Sequence, residues 1–328
     1  MRAWEVRAMV LDLNEVDPPV PRTGESIIQT RYAGICGSDT PKLLCPGDFT
    51  LPDPWRPGHE VVGADTDGRI VAVDPLVPCG DCQRCTAGDS HLCLQLLRIG
   101  WDKPGGFAEQ MAAPAANLHP IPAGLDPLHA VLADPAAVAI HGIRCNLTHA
   151  NANLAVIGAG AVGLLTALYA STLGHAVTIV HRAGTRPSAA IMRAIPAAFR
   201  PSSQLPAQAF DSVVDAATGA DAAPLELALH LVRDGGSIVV QNAYHPQVQL
   251  RTPLRDILRR SVQLIGSFSY CRRHPEPDFS SALTLLANHP EQVRDLVIEA
   301  GHLTDLRRLL QERRRGSVRH AIATEPKA

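Results

Sequence analysis

Leu154-Ala155-Val156-Ile157-Gly158-Ala159-Gly160-Ala161-Val162-Gly163-Leu164-Leu165 decides the fold of this 328-residue chain. An apolar run of β character ends at Gly158. Three glycines follow in the spacing Gly158-x-Gly160-x-x-Gly163, and small apolar residues at helical spacing continue to about Leu173. Strand, glycine turn and helix in that order make a dinucleotide site. The first glycine permits the tight turn, the second lets backbone approach a pyrophosphate, and the third lets helix and strand pack closely. Phosphate charge then rests on the exposed N–H groups of the helix start. The spacing alone is a weak signal, and the flanking strand and helix supply its context. The uncharged stretch from Ala150 to Gly174 could suggest a membrane span, but Asn151, Asn153 and the glycine register argue for the nucleotide turn.

Outward from this turn, residues 136–270 alternate strand and helix. Strands are expected at 154–158, 176–181, 210–216, 236–242 and 262–268, with helices at 161–173, about 187–195 and 221–232. Another strand falls near Ala197–Phe199, inside a stretch broken by Pro187, Pro196, Pro201 and Pro206. Such a βαβ series gives a Rossmann-type, doubly wound parallel sheet in an α/β fold. The N-terminal part reads differently. Ala3–Leu11 and Glu25–Tyr32 are β-type runs around a Pro18–Gly24 turn, and residues 31–135 continue as short strands rich in Gly and Pro. Residues 278–315 read as helical and Arg-rich, and a last strand near His320–Ala323 returns to the first domain. The expected division is residues 1–135 with 271–328 as a mostly β domain, and 136–270 as the coenzyme domain. A chain of this length exceeds one ordinary core.

The composition, 46% hydrophobic and 19% charged with a formal net charge of −2, is that of a globular protein with no basic field to recruit nucleic acid or an anionic membrane. The start, Met1-Arg-Ala-Trp-Glu-Val, lacks an apolar core with a cleavage site. The expectation is a cytoplasmic protein whose eight cysteines serve metal or catalysis instead of disulfides.

Six of those cysteines lie before residue 135. Cys79-Gly-Asp-Cys82-Gln-Arg-Cys85-Thr-Ala-Gly-Asp-Ser-His-Leu-Cys93 puts four thiolates in one loop, at about 77–95, a spacing that suits a closed, structural Zn²⁺ site. A second constellation is dispersed: Cys36 in Gly34-Ile-Cys36-Gly-Ser38-Asp39, His59 and Glu60 in Pro57-Gly58-His59-Glu60, and Asp134 before Pro135. Three protein ligands with one exchangeable position define a catalytic zinc site. Each residue also has a bland role, as a buried cysteine, a surface His-Glu pair or a helix-capping Asp, and spacing alone leaves the choice open.

The chain is similar to the zinc-dependent medium-chain alcohol dehydrogenases over nearly its whole length. The matching segments are GICGSD (34–39), PGHEVVG (57–63), CGDCQRCTAGDSHLC (79–93), GGFAEQM (105–111), ADPAAVAIHG (133–142), VIGAGAVG (156–163), DAATG (215–219) and LIGSFSY (264–270). Within that superfamily it most resembles the polyol, threonine and cyclitol dehydrogenases, including the 2-deoxy-scyllo-inosamine type of aminoglycoside pathways, a likeness that Ile99–Glu109 supports. The resemblance implies a GroES-like catalytic domain carrying the structural zinc lobe. It also implies two Zn²⁺ per chain, hydride transfer to or from NAD(P), and a secondary alcohol on a polyol, sugar or (amino)cyclitol as substrate. It makes Cys36, His59 and Asp134 zinc ligands, Glu60 a neighbouring or exchangeable ligand, Asp39 the holder of the second His59 nitrogen, and Ser38 the first proton-relay hydroxyl. It places coenzyme at Gly158, Gly160, Ala161, Val162, Gly163, His181, Arg182, Arg186, Ala217, Thr218, Gln241, Ser267 and Phe268, and substrate at Phe49, Trp55, Trp101, Asp102 and Tyr270. It further implies a homodimer or homotetramer joined at the last strand of the coenzyme sheet.

The sequence departs from that family in three places. Pro41 stands where many relatives have a relay histidine. His181-Arg182, with Arg186 nearby, replaces the carboxylate that would repel a 2′-phosphate, which points to NADP(H) over NAD(H). The loop Ala64–Asp74 is short, so a trimmed β-turn is expected. Two other functions stay open on sequence: a zinc-independent reductase of the same superfamily, and a non-catalytic dinucleotide-binding protein.

Overall fold

The Gly158 turn joins the strand Asn153–Ile157 to the helix Ala161–Thr172 in the computed structural model, which describes residues 1–146, 151–182, 184, 187–217, 221–245, 247–273, 275–312 and 319–324. The chain divides into two compact units, Met1–Asp134 with Cys271–Ala328, and Pro135–Tyr270.

The second unit is built on a six-stranded parallel sheet. Its order is Ala198–Pro201, Ala176–His181, Asn153–Ile157, Phe210–Asp215, Val232–Val240 and Gln263–Gly266. The strand order reverses beside Asn153–Ile157, so the glycine turn leaves the carboxyl end of that strand at the crevice where doubly wound sheets bind ligands. Leu164, Leu165, Ala167 and Leu168 of the following helix are 0–1% exposed, each leucine stabilising the unit by about 1.5–3 kcal/mol. The poorly marked strand lies at Ala198–Pro201, and it is an edge strand, where a proline that cannot donate is tolerated. The strand expected to start at residue 236 starts earlier, at Val232.

The first unit centres on a seven-stranded sheet. Its path runs Val297–His302, Arg319–Ala323, Glu25–Gly34, Glu60–Ala64, Ile70–Val73 and Leu118–Pro120, with Gln110–Pro114 also pairing with Glu25–Gly34. The final strand thus returns the chain to this unit, antiparallel to Glu25–Gly34. The short loop after Ala64 is a tight turn in which the Asp65 carboxylate accepts from the Asp67 and Arg69 amides and from Arg69 Nε.

Two expectations fail here. Ala3–Leu11 is not one strand but a hairpin of Arg2–Arg7 with Val10–Glu15. Its turn puts Ala8 and Met9 at φ 49° and 63°, the type I′ geometry that Asn-Gly would have advertised and Ala-Met does not. Residues 278–315 are not continuously helical either. Asp278–Asn288 and Leu306–Glu312 are helices, but Val297–His302 between them is a strand parallel to Arg319–Ala323. Pro290 opens a new short helix, and the adjacent Val297-Ile298 pair favours the pleat. Among the described residues no helix is long and apolar enough to cross a membrane.

Candidate active site

The antiparallel pairing of Glu25–Gly34 with Glu60–Ala64 sets Gly34 opposite Glu60. Cys36, two residues beyond one strand, and His59, one residue before the other, therefore leave the same end of the ladder. Gly58 has φ +102°, and a Cβ there would lie 2.6 Å from the Phe107 amide nitrogen. The close approach lets the Phe107 and Gly106 amides donate to the Pro57 and Gly58 carbonyls at 3.1 and 2.9 Å. The 57–63 and 105–111 motifs are thus two sides of one backbone clamp around His59. On the other side, helix Thr40–Leu44 starts directly after Asp39 with Pro41 in its first turn, where a missing N–H costs nothing.

Cys36, His59 and Glu60 each offer one donor atom, all within 4.8 Å of one another. His59 Nδ1 lies 3.0 Å from Asp39 Oδ2, and Nε2 lies 3.9 Å from Asp134 Oδ2. Ser38 Oγ donates to Cys36 Sγ at 3.2 Å. Burial works against a charged His59, but Asp39 and Cys36 outweigh it and set the imidazole well above its ordinary pKa. Burial and Glu60 raise the Cys36 thiol, and His59 with Arg319 bring it down overall. Burial raises Asp39 as well, and His59 brings it below its ordinary value. Glu60 itself is held up by burial.

This donor set suits zinc. Asp39 occupies Nδ1 and leaves Nε2 as the ligand atom, the usual tautomer of a metal-bound histidine. Both Glu60 carboxylate oxygens are buried without a hydrogen bond, and Oε2 faces Arg319 Nε at 3.1 Å. A thiolate, an imidazole and carboxylates match the borderline-soft preference of Zn²⁺. Arg319 was not singled out from sequence. Its signal there is a charged residue opening a strand that ends in Ala321-Ile322-Ala323, and its Nη1 donates to the Ile35 carbonyl at 3.0 Å.

The four-cysteine loop leaves a two-stranded neck formed by Leu76–Val77 and Leu97–Arg98. Cys79, Cys82, Cys85 and Cys93 gather with S···S separations of 3.8 Å (Cys79–Cys85), 3.5 Å (Cys82–Cys85) and 3.5 Å (Cys93–Cys79). A tetrahedron with Zn–S near 2.3 Å has edges of about 3.8 Å. The Cys79 and Gln95 amides both donate to Cys93 Sγ at 3.4 Å. The Cys85 amide brings Cys82 down to about 7. Arg272 pins the lobe, donating to Asp74 Oδ2 at 2.7 Å, to the Leu76 carbonyl at 2.9 Å, and from its amide to Ser90 Oγ at 3.0 Å.

In the second unit, Gly158 has φ +111°, and a Cβ there would meet the Ala216 carbonyl at 2.8 Å. A side chain at Gly163 would collide with the Gly158 carbonyl, whereas one at Gly160 would meet open space. Gly160 caps the helix with no side-chain hydrogen bond, so the N–H groups at the start, Ala161 and Val162 included, face the space a pyrophosphate needs. These residues fit a dinucleotide. His181 ends its strand, its Nδ1 3.0 Å from the Arg182 carbonyl oxygen, at the carboxyl edge of the sheet. Ala217 donates to Asp215 Oδ1 at 3.2 Å. Gln241 donates from its side chain to the Val138 carbonyl at 2.6 Å, and Ser267 from its amide to Val240 at 3.0 Å. Phe268 is half exposed. Arg186 and Thr218 lie outside the described residues.

The expected substrate residues separate. Phe49 and Trp101 are half-buried. Trp55 is a core residue instead, 1% exposed, with its indole donating to the Gly100 carbonyl at 2.7 Å and its ring edge-on to Trp101 at 5.6 Å. It backs Trp101 and offers no open face. Asp102 is a turn residue, accepting from the Arg98 amide and Arg98 Nε at 2.9 Å. Tyr270 is 1% exposed.

Comparison with known proteins agrees with this architecture. Residues 22–123 match the alcohol dehydrogenase GroES-like domain. The chain is 33% identical over 310 residues to the D-altritol 5-dehydrogenase of Agrobacterium fabrum, covering 89% of this chain and 88% of that one. It is 34% identical over 169 residues to the 2-dehydro-3-deoxy-L-galactonate 5-dehydrogenase of Pseudoalteromonas atlantica, a match that spans 48% of this chain and half the length (50%) of that relative. The structure of galactitol-1-phosphate dehydrogenase from Escherichia coli superposes with a TM-score of 0.84 at 22% identity, covering 98% of this chain and 100% of that one, and shares the fold. A GroES-like β unit and a Rossmann unit with this level of identity define a class: the chain belongs to the zinc-type medium-chain alcohol dehydrogenase superfamily, among relatives named as polyol dehydrogenases. It is accordingly an NAD(P)-dependent oxidoreductase of secondary alcohols.

Proposed function

We propose that the chain interconverts a secondary hydroxyl and a ketone on a polyhydroxylated substrate (a sugar alcohol, sugar acid or cyclitol) at a zinc site formed by Cys36, His59 and Asp134. Glu60 serves as the exchangeable neighbour. The carrying observation is the convergence of Cys36, His59 and Glu60 donor atoms within 4.8 Å, with His59 Nδ1 already 3.0 Å from Asp39. A second zinc in the four-cysteine lobe is structural. NADP(H) is the preferred coenzyme because His181 and Arg182 end the strand where a carboxylate would repel a 2′-phosphate. Cyclitol and aminocyclitol substrates of secondary metabolism remain within this proposal by family analogy.

When bound, zinc supplies a Lewis acid for the reacting oxygen. The chain's own residues do the rest. Asp39 fixes the His59 ring, and Arg319 holds Glu60 back within the β unit. Ser38, exposed beside Cys36, takes the hydroxyl proton. Pro41 offers no group to extend a relay, and Thr40 Oγ1 is committed to the Cys36 carbonyl at 2.9 Å, so the proton leaves Ser38 by a route other than these two residues, through water, the coenzyme ribose or another side chain. The substrate carbon gives up its hydrogen as hydride to the nicotinamide, and the C–OH becomes C=O, so the alcohol loses two electrons and the coenzyme gains them.

A second copy of the chain is the expected partner. The strand Gln263–Gly266 is a sheet edge, and Leu264, Leu254 and Leu258 stand 42%, 80% and 77% exposed around it. Sedimentation measures the oligomer. The function is tested by screening zinc-loaded protein against alditols, aldonates, cyclitols and hexanol with each coenzyme. Higher kcat/KM for polyols than for hexanol is expected, and the reverse order refutes the proposal.

A further inference from the structure

Lys42 follows the Cys36–Asp39 turn on the short helix Thr40–Leu44, and its ammonium folds back toward the candidate zinc site. Nζ donates to the Ser38 carbonyl at 2.5 Å and stands over two aromatic faces, 5.3 Å from the Trp101 ring centre and 5.9 Å from that of Phe49. The hydroxyl of the same Ser38 touches Cys36 Sγ. One residue therefore separates a fixed positive charge from the donor cluster.

The neighbouring cations are in contact ion pairs, whereas Lys42 only feels the Asp39 carboxylate at longer range. Arg98, which also lies 5.3 Å from the Trp101 ring, is paired with Asp102 at 2.9 Å, and Lys103 is paired with Glu25 at 2.7 Å. Among the described residues no carboxylate lies within ion-pair distance of Lys42, and the nearby Asp39 is committed to His59. One of the three ammonium donors is used. Cation–π contact offsets only part of the desolvation of an ammonium held against two rings, and an anion would offset more.

We infer that Lys42 is a specificity-determining residue that binds an oxyanion of the substrate, a carboxylate or a phosphate monoester, while the hydroxyl two or more carbons away reacts at the zinc site. This rests on the dehydrogenase reading above and narrows it. Of the polyhydroxylated candidates, acids and phosphates are selected, and an aminocyclitol, which brings its own ammonium, is disfavoured.

The test compares D-gluconate, D-glucitol 6-phosphate and neutral D-glucitol on the zinc-loaded full chain, wild type against Lys42→Met and Lys42→Arg. Methionine keeps an apolar stem on Phe49 and Trp101 while removing the charge. Both kcat/KM and a direct tryptophan-fluorescence titration are read. For at least one anionic compound, Lys42→Met is expected to weaken binding about 10- to 100-fold. That loss should exceed the loss on D-glucitol at least tenfold, and arginine should recover part of it. The anion that responds tells carboxylate from phosphate. Equal losses on all three compounds, or no loss on either anion, overturn the inference. Lys42-dependent anion binding without any turnover would overturn the dehydrogenase substrate reading while leaving the anion site standing. Turnover of D-glucitol with Lys42-independent anion binding would do the opposite.

Discussion

Asp39→Ala should weaken zinc at the Cys36–His59 site while sparing the four-cysteine site. Asp39 is 4% exposed, and its Oδ2 is 3.0 Å from His59 Nδ1. Once Nε2 binds metal, Nδ1 carries the proton, and alanine leaves that N–H buried without an acceptor. An orphaned buried donor costs about 1–3 kcal/mol, which is roughly 5- to 150-fold in Kd and agrees with the 10–100-fold seen when a partner behind a metal-bound histidine is removed. Asparagine restores an acceptor without the charge and should fall between wild type and alanine. The pH dependence has a definite sign. In metal-free protein Asp39 and Cys36 raise the His59 pKa, so a proton competes with zinc as pH falls. Removing Asp39 lowers that pKa and weakens the competitor as well. The affinity gap between wild type and Asp39→Ala therefore narrows as pH falls. Competition against a fluorescent chelator measures it, with the four-cysteine site as internal control. An unchanged affinity, equal loss at both sites, or a gap that widens at low pH would show that Asp39 does not hold His59 for zinc.

Two further predictions follow from other parts of the chain. Arg182→Asp should lower kcat/KM for NADP about 10- to 100-fold, the worth of a charged hydrogen bond plus an introduced repulsion, and should lower it less for NAD; equal loss with both coenzymes counts against a 2′-phosphate contact. Glu5, 1% exposed and paired with Arg56 at 2.6 Å, has its pKa lowered: burial raises it, and Arg56 and Asn14 more than compensate. Its stabilisation is present above the unfolded pKa and is lost as pH falls through the folded one. Glu5→Gln should therefore cost about 1–3 kcal/mol in urea unfolding at pH 7, and this deficit should shrink below about pH 4. A constant deficit contradicts the pairing.

The parts of the fold that sequence displays are those in which local chemistry and tertiary role coincide. The glycine turn is legible because the positive φ at Gly158 and the close packing at Gly163 demand glycine, while Gly160 leaves open space for a pyrophosphate. The cysteine lobe is legible because one loop holds all four sulfurs. The hairpin turn at Ala8-Met9 is not, since its positive φ values are imposed by the pairing of Arg2–Arg7 with Val10–Glu15 and not by residues that prefer them. Val297–His302 reads as helix because its neighbours do, and its strand state comes from a partner, Arg319–Ala323, far along the chain. The dispersed donors are a similar case. Register alone brings Cys36 beside His59, and only the closing strand adds Arg319 to Glu60. The resemblance places Trp55 at the substrate, but its indole N–H is satisfied internally by the Gly100 carbonyl, and it backs Trp101 from the core. Lys42 is not legible in the sequence, because its placement over Phe49 and Trp101, with no carboxylate in contact among the described residues, appears only in the fold.

In the proposed mechanism, zinc held by Cys36 and His59 is required for turnover and is separate from the zinc that supports the four-cysteine lobe. The direct measurement is zinc content per chain together with coenzyme reduction in the presence of a polyol such as D-altritol, on wild type and Cys36→Ser. About two zinc ions should fall to about one, with turnover abolished and the melting temperature little changed. Full turnover by Cys36→Ser carrying a single zinc would contradict it.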